Sequence, residues 1–551
     1  MDIKKKVGNW KIFMIDSNNK LLSGNEAIAL AAYHAGVALG TGYPGTPSTE
    51  ILESFSAFGG RAQWAPNEKV AAEVALGAAF AGARALVTMK HVGLNVAADP
   101  LFTATYTGCD GALVIVSADD PGMASSQNEQ DNRRYALAAG VPMLEPSDAQ
   151  EAYDFTAAAI ELSERWKTPV LLRMVTRVCH SKEVVTSRAL PQPATAPNFE
   201  HNFKARVMIP AYARPAHRRL RAKLSDIAAW NEQCDLNRVI EGDSSLGIIT
   251  SSAAYPHARE AAASASFLKL GLTYPLPMEK IRAFAATVKR CIVIEEGDPY
   301  LTEAIRAAGI PVETKPEMYR FGELNVARVR RILAGDTSPE PTPVGGMPPQ
   351  LCPGCWYGHI FDVLKKLDCL VSGDIGCYTL GALPPWEVMD AVVCMGASVG
   401  VGLGMRHVLP PEQAQRVVSV IGDSTFVHSG MTGLAEMVYN PPPTGHVVII
   451  LDNSATAMTG FQEHAGTGRT LEHEQTGKIS FEDLGRALGI KNVHVTDPSR
   501  DTAPFEKLLR DSLTNNQLNL IILRRPCLLI VGKIKGYERA NAEGCSQVKA
   551  V

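Results

Sequence analysis

Short apolar runs and helical periodicities alternate along most of the chain. The clearest unit lies near the carboxyl end, where the apolar run Val417–Ile421 is followed by a helical pattern over 429–439 and by a second apolar run, Val447–Leu451. A strand–helix–strand unit of this kind places its two strands parallel in one sheet. Polar residues follow both strands, at the edge where open parallel sheets bind ligands, so the pattern predicts a binding site there.

The same alternation appears in two further regions. In the first, helices are predicted to begin near Pro47 and to span Asp148–Arg165, with strands at Ala85–Met89, Ala112–Ser117 and Val170–Met174. In the second, strands are predicted at Leu246–Thr250 and Ile292–Glu295, with helices over His257–Leu270 and Leu301–Ala308. Strands that alternate with helices predict an α/β protein whose parallel sheets are covered on both faces.

Changes in composition divide these regions into domains. We predict an N-terminal tail over residues 1–20, domains over 21–190, 241–340 and 345–535, and a polar tail over 536–551. Residues 191–240 lose the apolar periodicity and are rich in Pro, Ala, Arg and Lys, so they are predicted to be a linker. Their basic part, RPAHRRLRAKL, is typical of a solvated helix face, with a phosphate or CoA contact as the alternative.

Composition narrows the class of protein. The 551 residues are 46% hydrophobic and 20% charged, as expected of a soluble α/β protein with several domains. A net charge of -3 gives no reason to expect nucleic acid or an anionic membrane as a partner. Neither a signal peptide nor an apolar run long enough to span a membrane is found, and 11 scattered cysteines favour reduced thiols in the cytoplasm.

The polar residues after the two carboxyl-terminal strands suit a divalent cation. Gly422 and Asp423 follow the first strand, and Asn453 follows the second. A carboxylate and an amide oxygen are hard ligands for Mg²⁺, which completes its shell with phosphate oxygens. This order of Gly-Asp and a later Asn resembles the cofactor motif of thiamine diphosphate enzymes, although Gly-Asp at a strand end is also an ordinary turn.

Two longer segments carry a more specific resemblance. GDSTFVHSGMTG, and DNSATAMTG with GTGRT soon after it, resemble the large subunit of indolepyruvate:ferredoxin oxidoreductase, a thiamine diphosphate-dependent 2-oxoacid oxidoreductase. The resemblance covers about residues 20–535. It implies a multi-domain α/β fold with a pyrimidine-binding domain at 21–190, a smaller domain similar to the transketolase C-terminal domain at 241–340, and a diphosphate-binding domain at 345–535.

The resemblance also implies contacts in the diphosphate-binding domain. Mg²⁺ would be bound by Asp423, Asn453 and the backbone carbonyl of Ala455. The cofactor itself would contact Gly422, Asp423, Ser424, Asn453, Ala455, Met458 and Thr459. The last two would lie near the reacting carbon, although ordinary packing is an equal interpretation of Met458.

The pyrimidine-binding domain should supply the groups that act on the cofactor ring and substrate. A carboxylate bonded to the aminopyrimidine favours the tautomer that activates the cofactor, and the resemblance places it at Glu68 in PNEKVAAEVALGAA. Glu73 and a plain helix cap at Glu68 are the alternatives. Thr46, in YPGTP, would lie near the thiazolium and substrate, unless the turn is only a rigid loop. Lys90 and His91 would meet the substrate carboxylate.

Four cysteines form the last candidate site. Cys352 and Cys355 form CPGC, which alone suits a redox pair, half a zinc site or neither. Together with Cys377 and Cys527 the pattern resembles the cluster-bearing subunit of pyruvate:ferredoxin oxidoreductase, which implies one [4Fe–4S] cluster. A buried strand cysteine is the alternative interpretation of Cys527.

The resemblance implies oxidative decarboxylation of an aryl 2-oxoacid such as indolepyruvate to an acyl-CoA. Electrons would pass through the cluster to ferredoxin or another electron-transfer subunit, and a small β- or γ-type subunit would complete the enzyme. The family's ferredoxin-like C-terminal segment is not seen after GYERANAEGCSQVKAV, where Cys545 alone cannot hold a cluster. This departure leaves open a non-redox thiamine-dependent lyase, ligase or decarboxylase, and a catalytically silent scaffold is a further alternative.

Overall fold

The computed structural model describes residues 18–341 and 349–548, with side chains up to residue 539. The chain divides into two compact units, Met1–Pro341 and Thr342–Val551, hereafter unit 1 and unit 2. This division falls at the boundary predicted between residues 340 and 345. Most of the predicted N-terminal tail, the proline-rich boundary segment itself and the side chain of Cys545 lie outside the described residues.

Unit 1 alternates strands and helices, as the sequence predicts. Its strands are β1 Asn19–Ser23, β2 Leu39–Gly42, β3 Ala62–Trp64, β4 Arg84–Lys90, β5 Ala112–Asp119, β6 Met143–Leu144, β7 Val170–Val175, β8 Lys182–Thr186, β9 Arg238–Ile240, β10 Asp243–Ser251, β11 Ala265–Leu270, β12 Leu272–Tyr274 and β13 Cys291–Ile294. Its helices are α1 Gly24–His34, α2 Thr49–Ala57, α3 Glu68–Phe80, α4 Gly93–Val96, α5 Ala98–Thr107, α6 Arg133–Ala139, α7 Ala149–Trp166, α8 Thr176–His180, α9 Phe203–Arg206, α10 Pro210–Asn231, α11 Ala254–Ala261, α12 Met278–Ala286, α13 Tyr300–Ala307 and α14 Val326–Leu333.

A seven-stranded sheet forms the centre of unit 1, in the order β12-β6-β7-β5-β4-β2-β3. All its strands are parallel except β12, which pairs antiparallel with β6. Strands β4, β5 and β7 are buried along nearly their whole length, as expected of a parallel sheet covered on both faces. Strands β1 and β8 form a separate antiparallel pair, close to the predicted end of the first domain.

The four-stranded sheet β13-β10-β11-β9 corrects one prediction. The sequence predicts a single helix over His257–Leu270, but α11 ends at Ala261 and Ala265–Leu270 forms the fully buried strand β11. The strand contains Lys269, whose side chain is wholly buried and ion-paired to Glu151. This pairing offsets part of the cost of burying the charge, and a local hydrophobic pattern cannot reveal it.

The predicted linker also contains regular structure. Helix α10 has 22 residues and buries Ala216, Leu220, Leu224 and Ile227, which are spaced for one helix face. The arginines of RPAHRRLRAKL point away from that face and are exposed, in agreement with a solvated helix surface. The domain boundaries at 190 and 240 stay predictions. The prediction that the segment between them lacks apolar periodicity is wrong, because α10 has a regularly spaced buried face.

Buried charges join the seven-stranded sheet of unit 1 to the region after residue 240. Arg133 is 2% exposed, and its guanidinium donates to Glu295, with Nη1 2.7 Å from Oε2. It also pairs with Asp131 at 2.6 Å. Burial alone would raise the pKa of Asp131. The charges of Arg133 and Arg173 outweigh burial and lower this pKa to about 2. Because each charge has a partner, this network is compatible with a buried position.

Unit 2 has a single five-stranded parallel sheet, in the order β14-β15-β16-β18-β17. Its strands are β14 Leu370–Ser372, β15 Val417–Gly422, β16 His446–Asp452, β17 Asn492–Thr496 and β18 Leu518–Arg524. Its helices are α15 Tyr357–Lys366, α16 Ala397–Val408, α17 Pro411–Ala414, α18 Asp423–Thr425, α19 Met431–Tyr439, α20 Phe481–Ala487, α21 Ala503–Thr514 and α22 Val531–Val548.

Successive residues of β15 and β16 face two different cores. Val420 and Ile449 belong to a cluster with α15 and α21, whereas Ile421 and Ile450 belong to a cluster with α16, α19 and α20. The predicted βαβ unit is confirmed, with a turn of π-helix at Phe426–Gly430 before α19. Helix α22 crosses the predicted start of a polar tail at residue 536.

No helix in the described part of the chain combines the length and the apolar character that a membrane span needs.

Candidate active site

The two polar strand ends of the βαβ unit meet in unit 2. Strands β15 and β16 are paired in register, with Gly422 opposite Leu451, so Asp423 and Asn453 leave the same edge of the sheet. Oδ2 of Asp423 accepts a hydrogen bond from the backbone N–H of Ser454 at 2.8 Å. Asp423 and Asn453 are 2% and 7% exposed. Both side chains therefore follow strand ends at the same edge of the sheet, and their role as ligands stays a prediction.

The Asn453 side chain is held at both ends of its amide. Its Oδ1 accepts from the backbone N–H of Ala455 at 3.0 Å, and its Nδ2 donates to the hydroxyl of Tyr357 at 2.8 Å. The carboxylate of Asp423, the amide oxygen of Asn453 and a backbone carbonyl form the set of hard oxygen donors that Mg²⁺ prefers. Their chemistry fits the metal of a bound diphosphate.

Two further polar side chains, Asp452 and His464, lie near Asp423. Burial and the neighbouring Asp423 raise the pKa of Asp452, against the effect of Arg524, whose Nε lies 2.7 Å from Asp452 Oδ2. Nε2 of His464 lies 3.3 Å from Asp423 Oδ2. His464 Nδ1 accepts the N–H of Gly466 at 3.1 Å, which places the ring proton on Nε2, and Nε2 makes no hydrogen bond within the described residues.

The remaining predicted cofactor residues lie in the loops around this edge. Ser424 Oγ is 2.7 Å from Thr456 Oγ1, and Thr459 Oγ1 donates to Gln462 Oε1 at 2.6 Å. Met458 is 60% exposed, which excludes the alternative that it is an ordinary core residue. Gly422 faces the ring of Tyr378, and a Cβ at position 422 would lie 2.8 Å from that ring.

All four predicted cluster cysteines line one cavity of unit 2, of about 250 Å³. Asn453 lines the same cavity as Cys352, Cys355, Cys377 and Cys527. Burial, followed by the thiols of Cys355 and Cys527, raises the pKa of Cys377 to about 11. No three His, Cys, Asp or Glu side chains in the described residues converge closely enough to bind a single metal ion.

In unit 1, Glu68 is clearly distinguished from Glu73. Glu68 is the first residue of α3, capped by Asn67, and is 4% exposed. Gly93 packs directly against it, since a Cβ there would lie 2.5 Å from Glu68 Oε1. Glu73 is instead an exposed residue that pairs with Lys69 one turn earlier on the same helix. The buried position is the one expected of a carboxylate that acts on a bound ring.

The turn that carries Thr46 lies beside Lys90. A Cβ on Gly45 would lie 3.0 Å from the Cβ of Lys90, and Thr46 is partly exposed. Lys90 Nζ donates to the carbonyl of Ser125 at 2.7 Å. Burial lowers the pKa of Lys90, against the effect of Asp120. These contacts leave the role of the lysine toward a substrate carboxylate as a prediction.

His91 lies deeper than Lys90. It is fully buried, with Nε2 3.3 Å from the carbonyl of Asn128 and with no partner for Nδ1 in the described part of the chain. Burial, followed by the charge of Lys90, lowers its pKa, so the neutral ring is favoured. Because no surface of His91 is exposed, the structure gives no support for its predicted catalytic role, which also stays a prediction.

Sequence reasoning does not identify Tyr357 or His464. Tyr357 follows the CPGC segment, yet its hydroxyl meets Asn453, 96 positions later. His464 lies 41 positions after Asp423, in a loop with no regular periodicity. Neither residue has a local pattern that separates it from an ordinary aromatic or polar side chain, so only the folded chain reveals their contacts.

Comparison with protein families assigns the chain to a class. Residues 30–226 match the family model for the thiamine diphosphate-binding region of pyruvate flavodoxin/ferredoxin oxidoreductase. Residues 374–523 match the C-terminal thiamine pyrophosphate-binding domain of thiamine pyrophosphate enzymes. With the site described above, these matches define a thiamine diphosphate-dependent 2-oxoacid oxidoreductase.

Similar whole proteins identify the family. The chain is 38% identical to indolepyruvate oxidoreductase subunit IorA of Archaeoglobus fulgidus, over 98% of this chain and 90% of that protein. It is 36% identical to the IorA subunit of Thermococcus kodakarensis, over 92% of this chain and 86% of that one. The chain belongs to the IorA family of indolepyruvate oxidoreductase subunits, which confirms the resemblance seen in the sequence.

A solved structure agrees at the level of the fold. The 2-oxoglutarate:ferredoxin oxidoreductase from Magnetococcus marinus, with 2-oxoglutarate, coenzyme A and succinyl-CoA bound, aligns with a TM-score of 0.50 and 19% identity. The alignment covers 58% of this chain and 65% of the other. It confirms the predicted α/β fold class.

Proposed function

We propose that this chain is the large subunit of an enzyme that oxidises an aryl 2-oxoacid, with indolepyruvate as the first candidate, to an acyl-CoA. The observation that carries the oxidative part is the cavity of unit 2, which four cysteines share with the proposed metal ligand Asn453. The substrate class is supported by the names of the IorA relatives, which cover nearly the whole chain. CoA as the acyl acceptor is supported by the ligands of the Magnetococcus enzyme.

Each unit contributes a different function to thiamine diphosphate. When bound, the cofactor supplies the carbanion chemistry that cleaves the bond between a keto carbon and its carboxylate. Asp423, Asn453 and the carbonyl of Ala455 bind Mg²⁺ and, through it, the diphosphate. Glu68 holds a proton at the pyrimidine ring, and its burial beside Gly93 keeps water from competing for the carboxylate. In unit 1, Thr46 and Lys90 would meet the substrate. In unit 2, Met458, which is 60% exposed, and Thr459 would lie near the reacting carbon of the cofactor.

The cysteine cavity suits one [4Fe–4S] cluster better than a single metal ion. A cubane takes one thiolate at each of four iron corners, so its ligands surround a volume rather than converge on one point. Cys352, Cys355, Cys377 and Cys527 line one cavity, and no three His, Cys, Asp or Glu side chains of the described residues converge on a single ion. The four thiolates would hold such a cluster, which would supply one-electron redox chemistry when bound.

The cluster needs an outlet for its electrons. We propose ferredoxin or another electron-transfer subunit as the acceptor, and a small β- or γ-type subunit as the second part of a hetero-oligomer. Every cysteine whose side chain the structure describes is a free thiol, which supports a reducing cytoplasmic location.

The decisive experiment is metal analysis of anaerobically purified protein, together with any partner that copurifies. We expect about four iron atoms per chain, with a broad brown absorbance. Cys527→Ser should lose this absorbance, whereas Cys394→Ser should keep it, because Cys394 is an exposed thiol outside the cavity.

The same protein is then tested with 2-oxoacids, CoA and a viologen dye. Reduction of the dye with indolepyruvate or phenylpyruvate, and not without CoA, is the expected result. Protein that contains zinc, or no metal, and releases CO₂ without reducing the dye would refute the oxidative proposal. That outcome would favour a non-redox thiamine-dependent lyase, ligase or decarboxylase.

A further inference from the structure

Asn453 is joined to the cysteine cavity through both its side chain and its backbone. Its Nδ2 donates to the hydroxyl of Tyr357 at 2.8 Å, and its carbonyl oxygen accepts from the backbone N–H of Cys527 at 2.9 Å. Tyr357 lies two residues after Cys355, and both line the cavity. A single asparagine therefore contacts the proposed metal on one side and the proposed cluster site on the other.

The hydrogen bonds fix which end of the Asn453 amide carries the oxygen. Oδ1 accepts the backbone N–H of Ala455 at 3.0 Å, so the opposite end must be the NH₂ group that meets Tyr357. A flipped amide would place its NH₂ group against the N–H of Ala455. The carbonyl oxygen has a second lone pair, which this orientation leaves available to a metal ion.

Tyr357 cannot turn away from this contact without disturbing its neighbours. It is the first residue of α15 and is 3% exposed. Its ring packs edge-on against Trp356, with centroids 4.6 Å apart, and against Tyr378, with centroids 6.3 Å apart. The hydroxyl is thus a fixed acceptor, unlike a solvent molecule that can leave.

We propose that Tyr357 is a positioning residue that holds the amide of Asn453 with its oxygen toward the diphosphate-bound metal. This inference rests on the proposed role of Asn453 as a metal ligand. Tyr357, the residue after CPGC-Trp, would then contribute to cofactor affinity. This role is separate from that of the cysteines that precede and follow it in the sequence. Without the hydroxyl, the NH₂ group of the amide loses its acceptor, and only the N–H of Ala455 holds the side chain in this orientation.

The test is Tyr357→Phe, which removes only the hydroxyl. Binding of thiamine diphosphate in excess Mg²⁺ is measured by calorimetry on the anaerobic full-length protein with its copurifying partner. We expect affinity to fall about tenfold, because a buried amide N–H₂ loses its acceptor. Iron content should stay at the wild-type value, because all four thiols remain.

Tyr378→Phe is the matched control. Tyr378 is equally buried and touches the Tyr357 ring, but its hydroxyl donates to the backbone carbonyl of Ile375. Its loss should leave the affinity within about twofold of wild type. Equal losses in both variants would mean that any missing tyrosine hydroxyl weakens the region, and would overturn the inference.

Asn453→Ala separates the failure of this inference from the failure of the metal assignment. If Asn453→Ala binds the cofactor like wild type, the metal assignment itself is wrong. If it binds weakly while Tyr357→Phe binds like wild type, only the role of Tyr357 is wrong. The double variant should bind no more weakly than Asn453→Ala alone, because the tyrosine acts through the amide, and a further tenfold loss would contradict this.

Discussion

Unit 1 and unit 2 organise their functional residues in opposite ways. In unit 2 the proposed metal ligands Asp423 and Asn453 lie at the ends of two adjacent strands, and the backbone N–H of Ser454 donates to Asp423 at 2.8 Å. In unit 1, Thr46 lies in a turn, Glu68 begins α3 and Lys90 ends β4. Gly93 packs against the side chain of Glu68. The residues of unit 2 are therefore arranged to bind a charged group. In unit 1, the absence of a side chain at Gly93 leaves room for the carboxylate of Glu68.

This difference predicts different failures. Loss of a proposed metal ligand in unit 2 should weaken cofactor binding, whereas loss of the Glu68 carboxylate in unit 1 should leave a bound cofactor that does not react. Affinity and turnover are therefore the two measurements that test the comparison.

Asp423→Ala should have the largest effect. Removal of a hard oxygen ligand leaves the diphosphate charge uncompensated, so thiamine diphosphate affinity in Mg²⁺ should fall at least about 100-fold. Calorimetric titration measures this loss. Asp483→Ala, which removes an exposed carboxylate of the same unit, is the control and should bind normally. If Asp423→Ala binds thiamine diphosphate with wild-type affinity, the assignment of the metal ligands to unit 2 is wrong.

Glu68→Gln should come next, with turnover reduced about 10²–10³-fold and cofactor affinity changed only a few-fold. The amide keeps the shape of the side chain but cannot hold the proton on the pyrimidine ring. Glu73→Gln serves as control because Glu73 is exposed and paired with Lys69. The assignment fails if Glu68→Gln retains full turnover and Glu73→Gln does not.

Gly93→Ala should reduce turnover about tenfold with little change in thermal stability. The new methyl group would press on a movable side chain, since its nearest neighbour is Oε1 of Glu68 at 2.5 Å. Gly77→Ala in α3 meets no atom within 4 Å and should be neutral or slightly stabilising. A large drop in melting temperature for Gly93→Ala would show that the glycine supports the fold rather than the carboxylate.

Met458→Ala should have the smallest effect, a rise of a few-fold in the KM for the 2-oxoacid. Because Met458 is 60% exposed, its truncation should change the free energy of unfolding by less than about 0.5 kcal/mol. Steady-state kinetics and thermal denaturation measure the two quantities. Val408→Ala, at 81% exposure, provides the comparison for an exposed apolar residue without a role in the site. An unchanged KM would remove Met458 from the substrate path.

The sequence predicts unit 2 better than unit 1 for a physical reason. Strands β15 and β16 are buried on both faces, and the polar residues directly after them mark the site without any distant contact. The choice of Glu68 depends instead on the resemblance to a known family, because its burial is created by Gly93, which lies 25 positions later. The Tyr357–Asn453 contact, across 96 positions, has no local signal at all.

The errors have the same origin. The helix predicted over His257–Leu270 includes β11, whose Lys269 can be buried because it pairs with Glu151, 118 positions earlier. The linker prediction includes a helix face in RPAHRRLRAKL but not the full length of α10, whose buried residues are interspersed with Pro215 and several arginines. In both elements, tertiary contacts outweigh local composition.

Strand β12 has a consequence for how the protein gains and loses its structure. It comes from the region after residue 240 but completes the edge of the seven-stranded sheet, where Leu272 pairs with Leu144 and Tyr274 with Met143. A fragment that ends at residue 240 would leave β6 as an open edge, a template for association with other chains. The two regions of unit 1 should therefore melt in a single cooperative transition, and neither is a module that recombination can exchange alone.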